Sequence, residues 1–170
     1  MDKSVQVRPE SLFTFLQNRC SRSPRKGVHV APEYATGALL VGGRWNSPGQ
    51  PVIYAAASYA AALLERLVHA GTGRIPKKQR VVVITIPARV SREEWSLERL
   101  PRGWDTRDGI IARNLGDEWL ESQRSAVLIV PSAVAKFEKN IVINPAHLDF
   151  KWITASKPES VVWDVRLFSD

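Results

Sequence analysis

Arg44, Tyr54 and Glu65 follow one another at intervals of ten and eleven residues. They lie in a stretch that reads GGRWNSPGQPVIYAAASYAAALLERLVH from Gly42 to His69. Each side chain brings a different chemistry. Arginine carries a permanent charge on a planar fork of donors that fits phosphate or carboxylate. Tyrosine offers a face for stacking and a hydroxyl for orientation. A glutamate beside a sugar can bind hydroxyls and stabilise a developing oxocarbenium cation. The paired glycines before Arg44 let the backbone approach a ligand closely. Together the residues suit a nucleotide whose N-glycosidic bond breaks. Each also has a plainer reading: Arg44 as a salt-bridge partner, Tyr54 as a core aromatic with its hydroxyl at the surface, and Glu65 as a solvated helix residue.

Other chemistries find little support in the 170 residues. Cys20 is the only cysteine, which rules out an internal disulfide and a cysteine-based zinc site. His29, His69 and His147 are far apart and form no HExxH-like pair, so no metal site is expected. The phosphate cradles GxGxxG and GxxxxGK[ST] and the GxSxG nucleophile elbow are all absent. The N-terminus, MDKSVQVRPESLF, lacks an apolar signal core, and no apolar run could span a membrane. A cytoplasmic protein is expected.

The net charge of +7 favours an anionic partner: nucleic acid, a phosphate-bearing molecule or an acidic protein. Arg19, Arg22, Arg25 and Lys26 form the densest basic run. That run reads more simply as a solvated loop, and it lacks the interleaved aromatics that single-strand binding uses.

The elements that must position the three residues can be read coarsely. Residues 10–17 suggest a short helix, and residues 38–45 a strand entering the Gly-Gly turn. Ser47-Pro48-Gly49 is a turn by composition, and residues 51–56 form a short strand carrying Tyr54. Residues 58–70 are the clearest helix, with Ser58 as N-cap and Gly71 as its stop. On a helical wheel Glu65 falls roughly 130° from the centre of the Ala60, Leu63, Leu64, Leu67 and Val68 arc, at its polar edge. The β-branched run at 80–87 reads as a buried strand. Residues 107–122 read as an amphipathic helix with Trp119 on its apolar side. Short strands are expected at 126–130, 140–144 and 161–168. The order lacks a regular βαβ alternation, which favours a single α+β domain with a bent, mostly antiparallel arrangement of short strands. His147 reads as structural or as a pocket residue, and Asn140 and Asn144 as turn residues.

The Gly42–His69 stretch resembles the signature of RES domains, toxin components of bacterial toxin–antitoxin pairs. A second segment, VPSAVAKFEKNIVINPAHLDF at 130–150, resembles that family's Pro-Ser-Ala and Asn-Pro-x-His signature. The two motifs occur in the family's order, and the resemblance covers about residues 38–150 of one domain. The chain departs from the family's usual Gly-x-Gly-Ala before the Gly-Gly-Arg-Trp: it reads YATGALLVGGRW, with one Gly-Ala at 37–38.

The resemblance implies an ADP-ribosyltransferase fold of the diphtheria-toxin type. It implies an Arg-Tyr-Glu active site matched by Arg44, Tyr54 and Glu65, with Ser132 as a pocket residue. The implied reaction degrades NAD at the nicotinamide bond, with water or inorganic phosphate as acceptor; in the alternative a protein is ADP-ribosylated. NAD is then a substrate and no cofactor is needed. The implied partner is an antitoxin with an Xre-like helix-turn-helix, through which alone the toxin would meet DNA. Self-association is compatible with this reading, and a basic nucleic-acid-binding module without catalysis is the remaining alternative. Within the NAD reading, Arg44 holds a phosphate or ribose oxygen, Tyr54 stacks on nicotinamide, and Glu65 takes the ribose hydroxyl and the cation.

Overall fold

The computed structural model describes residues 10–16, 35–70 and 79–168, the first segment by its backbone alone. Eight strands form one sheet in the order β4-β5-β6-β2-β1-β3-β7, with β8 added beside β3. They are β1 (Glu10–Leu16), β2 (Ile53–Ala56), β3 (Arg80–Ile86), β4 (Arg92–Glu94), β5 (Val127–Pro131), β6 (Lys139–Ile143), β7 (Thr154–Ala155) and β8 (Glu159–Ser160). Only the β4–β5 pair is parallel. The expected α+β class and antiparallel bias therefore hold.

Alternation along the strands supplies two apolar faces. On one face Ile53, Ala55, Ile84, Ile129, Ile141 and Ile143 close a branched-aliphatic core. On the other face Leu128, Val130 and Val142 meet Trp45, Trp95, Trp104 and Trp119. Trp45 stacks on Trp104 and meets Trp95 edge-on, each at 5.8 Å between centroids. The second face also carries Tyr54, Ala56 and Asn140, since Tyr54 pairs with Val142 and Ala56 with Asn140. The functional side chains thus share a wall with the tryptophan core.

Among the described residues three α-helices, α1 (Thr36–Val41), α2 (Tyr59–Ala70) and α3 (Ile110–Ser122), accompany the sheet. α3 buries Trp119 as its amphipathic pattern requires. α2 begins as expected: the Ser58 hydroxyl accepts the Ala61 N–H at 3.1 Å. The stop expected at Gly71 lies outside the described residues.

Three expectations are corrected. Residues 10–16 form β1, which pairs with β3 over seven positions from Glu10↔Ile86 to Leu16↔Arg80. A short apolar run does not by itself separate helix from strand, and the long-range partner decides. Residues 36–41 form a helical turn and a half, because the loop beyond it supplies partners for its carbonyls. Gly42 N–H and the Asn46 amide both donate to Ala38 O, and Gly49 N–H donates to Leu39 O. Residues 161–168 run from β8 into a 3-10 turn at Val165–Phe168. There Asp164 offers the backbone an alternative to a strand: its carboxylate accepts the Arg166 N–H at 2.9 Å.

Candidate active site

The Gly42–Asn46 turn is built around Tyr54. The Tyr54 hydroxyl donates to Asn46 Oδ1 and accepts the Trp45 N–H, both at 2.8 Å. Asn46 is fully buried and donates to the carbonyls of Ala38, Ser47 and Gln50. The two glycines have separate reasons. Gly42 sits at φ +70°, and a Cβ there would press on Asn46 O and Pro48. At Gly43 a Cβ would lie 2.6–2.8 Å from the Tyr54 ring and hydroxyl, so only a bare backbone can lie against the tyrosine. Burial pushes the Tyr54 phenol well above the usual tyrosine range, outweighing the Trp45 N–H and the nearby Arg113 and Arg44. It stays protonated at neutral pH, which removes it as a general base.

Arg44 leaves this turn toward the loop before α3. Its Nη1 donates to Thr106 O at 2.8 Å and Trp104 O at 3.2 Å. α3 clamps the turn from behind with residues 113, 116 and 117, which share one helical face. Arg113 Nε donates to Gly43 O at 3.2 Å. Asp117 accepts the Ser47 N–H and hydroxyl. Gly116 lies so close that a Cβ would land on the Trp45 carbonyl. The sequence did not single out Asn46, Arg113 and Asp117; the R-x-x-G-D spacing on α3 was the available signal for Arg113 and Asp117.

Glu65 is not at a solvated edge. Ala61 and Ala62 are buried and pack on Ala56, whereas Ala60, Leu64 and Val68 face outward. At about 100° per residue, Glu65 points between Ala61 and Ala62, inside the docked arc. Small alanines let α2 approach the sheet, and the carboxylate arrives over β6. The Ser132 hydroxyl and the Asn140 amide both donate to Glu65 Oε1, each at 2.7 Å. Ser132 is buried, and its oxygen also accepts the Val134 and Ala135 N–H groups, which fixes its proton toward Glu65. Oε2 of Glu65 accepts no hydrogen bond from a described residue. Ser132 is therefore beside Glu65. Asn140, expected in a turn, is a strand residue whose amide serves the same carboxylate.

Gly43, next to Arg44, lies against Tyr54, and Tyr54 shares a sheet face with Asn140, which sits on the neighbouring strand opposite Ala56 and binds Glu65. An ion pair at 2.6 Å between Lys136 and Asp105 joins the loop after Ser132 to the loop that binds Arg44. Other expected residues lie elsewhere. His147 Nδ1 accepts the Asp149 N–H and caps a 3-10 turn, and Asp149 in turn binds Ser91. Asn144 Oδ1 closes a turn on the Ala146 N–H at 2.9 Å. A hollow of about 210 Å³ near Trp95, Leu97, Pro131 and Phe137 contains none of Arg44, Tyr54, Glu65 and Ser132. Among the described residues no cluster of three or more His, Cys, Asp or Glu could hold a metal, and no helix is long and apolar enough to cross a membrane.

Comparison with known proteins yields consistent matches. The RES domain family model matches residues 18–164. The chain is 42% identical over 134 residues to a "Prs ADP-ribosylating toxin" of Sphingobium sp., covering 77% of this chain and 83% of the relative. It is 36% identical over 134 residues to a "Toxin Res" of Photorhabdus laumondii, covering 78% and 85%. A crystal structure of the M. tuberculosis MbcT–MbcA toxin–antitoxin complex shares the fold, with a TM-score of 0.69 at 18% identity over 91% of this chain and 85% of that one. On the span of the family match and the identity to these relatives, this chain belongs to the RES domain family.

Proposed function

We propose that this protein is the toxin of a bacterial toxin–antitoxin pair and that it cleaves the nicotinamide–ribose bond of NAD. The observation that carries the reading is Glu65, whose Oε1 is held by Ser132 and Asn140, while Oε2 accepts no hydrogen bond from a described residue and Asn140 shares a sheet face with Tyr54. A carboxylate fixed at one oxygen keeps its charge in place as a cation develops. Such preorganised electrostatic stabilisation is often the largest catalytic contribution.

In this mechanism the C–N bond to the positively charged pyridinium breaks, and its electron pair leaves with neutral nicotinamide. The ribosyl cation is stabilised by Glu65, which also takes a ribose hydroxyl. Tyr54 supports the nicotinamide ring with its face, its hydroxyl being engaged by Trp45 and Asn46. Arg44 binds a phosphate or ribose oxygen with the nitrogens not committed to Trp104 O and Thr106 O. Water then adds to the cation, giving ADP-ribose and a proton; inorganic phosphate would give the phosphorylated sugar instead. The second reading, transfer to a protein side chain, is favoured by the name of the Sphingobium relative. The neutralising partner is an antitoxin with an Xre-like helix-turn-helix, which alone would contact DNA, and the setting is the cytoplasm.

The test is nicotinamide release, followed by chromatography, from NAD incubated with antitoxin-free protein whose fold is checked by circular dichroism. Turnover in buffer supports cleavage, with phosphate dependence separating the two small acceptors. Turnover only with added cell protein, accompanied by labelling of a band, selects the transferase. Folded protein that releases no nicotinamide under either condition removes the NAD reading.

A further inference from the structure

Two guanidinium groups converge on Gly109, the residue that precedes α3. Gly109 has φ +64°, and a Cβ built there would stand 3.7 Å from Nη2 of Arg113 and 4.0 Å from Nη1 of Arg44. The same point lies 3.8 Å from the Arg44 Cα, so the glycine backbone runs directly beside both arginines. Both arginines are fixed by neutral acceptors. Arg113 binds Gly43 O and Asp108 O, each at 3.2 Å. Arg44 binds Trp104 O and Thr106 O. Among the described residues neither forms an ion pair. The nearby carboxylates take their hydrogen bonds from other groups, Asp105 from Lys136 and Asp108 from the Thr106 hydroxyl and the Ile110 N–H, while still interacting at longer range with Arg44 and Arg113. Arg113 donates to Gly43 O and Arg44 is the next residue of that turn, which places both beside the backbone that covers Tyr54.

Carbonyl oxygens hold both guanidinium groups in place without using all their donors. An arginine has five donors, and Nη1 of Arg113 and Nη2 and Nε of Arg44 bind no described residue. We propose that Arg44 and Arg113, brought together beside the bare backbone of Gly109, form a two-guanidinium clamp for the diphosphate of a nucleoside diphosphate ligand, using the donors not bound to carbonyls. Guanidinium forks fit phosphate oxygens two at a time, and two adjacent forks match two linked phosphates. Arg113 thereby becomes a substrate-binding residue. This rests on the NAD reading, in which the diphosphate is that of the dinucleotide itself.

The experiment is calorimetric titration of the full chain with ADP, AMP and adenosine. Arg113→Gln is expected to weaken ADP binding by about 10- to 100-fold and to leave adenosine binding unchanged. Arg113→Lys, which keeps the charge, should recover part of the loss. Equal losses for ADP and adenosine would mean that Arg113 only supports the Gly43 turn, and they overturn the clamp. Should Arg113→Gln unfold, the parent decides through salt: ADP affinity must fall with added KCl more steeply than AMP affinity, and equal slopes overturn the clamp. A parent that releases nicotinamide but whose ADP affinity ignores Arg113 loses the clamp and keeps the NAD reading. A parent that binds neither ADP nor NAD loses both.

Discussion

The Asn140 amide donates to Oε1 of Glu65 at 2.7 Å, across 75 positions of sequence and from the strand that pairs with the one bearing Tyr54. The same oxygen accepts from Ser132, so the carboxylate is held by two donors of different origin. That arrangement makes the orientation of Glu65 a property of the sheet as much as of its own helix.

Removing the amide isolates its role. Asn140→Ala should lower kcat by about 10- to 100-fold, the usual worth of a hydrogen bond to a charged group, with little change in KM. Asn140→Asp should cost more, because it replaces a donor with a like charge against Glu65. Steady-state kinetics on both variants checks this, and Asn140→Asp turnover no lower than that of Asn140→Ala would separate Asn140 from Glu65 function.

Glu65→Gln keeps the size and one acceptor oxygen but removes the charge. Turnover of NAD should fall by about two to three orders of magnitude, roughly 3–4 kcal/mol in the barrier, with substrate binding much less affected. Because Glu65 accepts two hydrogen bonds on the docked face of α2, stability should also drop, by about 1 kcal/mol. Turnover and melting temperature measured on one preparation separate the two effects. Near-parental turnover would take Glu65 out of the mechanism.

Tyr54→Phe deletes the hydroxyl that ties Trp45 to Asn46 and leaves both without that partner. A cost of about 1–3 kcal/mol is expected. The folded state holds the Tyr54 phenol protonated above its usual range, so it binds the proton more tightly than the unfolded chain does. The corresponding stability is complete below about pH 10, the unfolded value, and declines as pH rises beyond it. Urea midpoints from pH 8 to 11 should therefore fall more steeply in the parent than in Tyr54→Phe. Parallel curves would show that the burial of Tyr54 carries no such linkage.

Gly116→Ala and Gly43→Ala should differ in a definite order. The added methyl at 116 meets the Trp45 backbone carbonyl, whereas at 43 it meets the Tyr54 ring. Overpacking of this kind costs about 1–3 kcal/mol, occasionally more. Gly116→Ala should be the more destabilising, because the backbone of Trp45 is held by Tyr54 and its ring by two other tryptophans. Thermal melts of the two variants give the order, and the reverse order would show that α3 shifts freely against the turn.

The sequence by itself determined the chemical types and the local elements that carry them. Arg44, Tyr54 and Glu65 lie on consecutive segments, and their spacing was legible because a turn, a short strand and a capped helix each follow from nearby residues. Ser58 caps α2, Ser47 to Gly49 turn the chain, and Trp119 marks the buried side of α3. Tertiary structure alone decided the rest. β1 is a strand because β3 lies beside it for seven residues, a partner that its own short run could not announce. α2 sits with Ala61 and Ala62 inward rather than its leucine arc, since β2 offers Ala56 and small side chains permit a close approach. That rotation carries Glu65 from the expected polar edge to Ser132 and Asn140. Arg113 and Asp117 reach the Gly43 turn across 70 positions of sequence. Hydrogen bonds and charges act over ångströms in space, and proximity between distant segments exists only once the sheet has set its strand order.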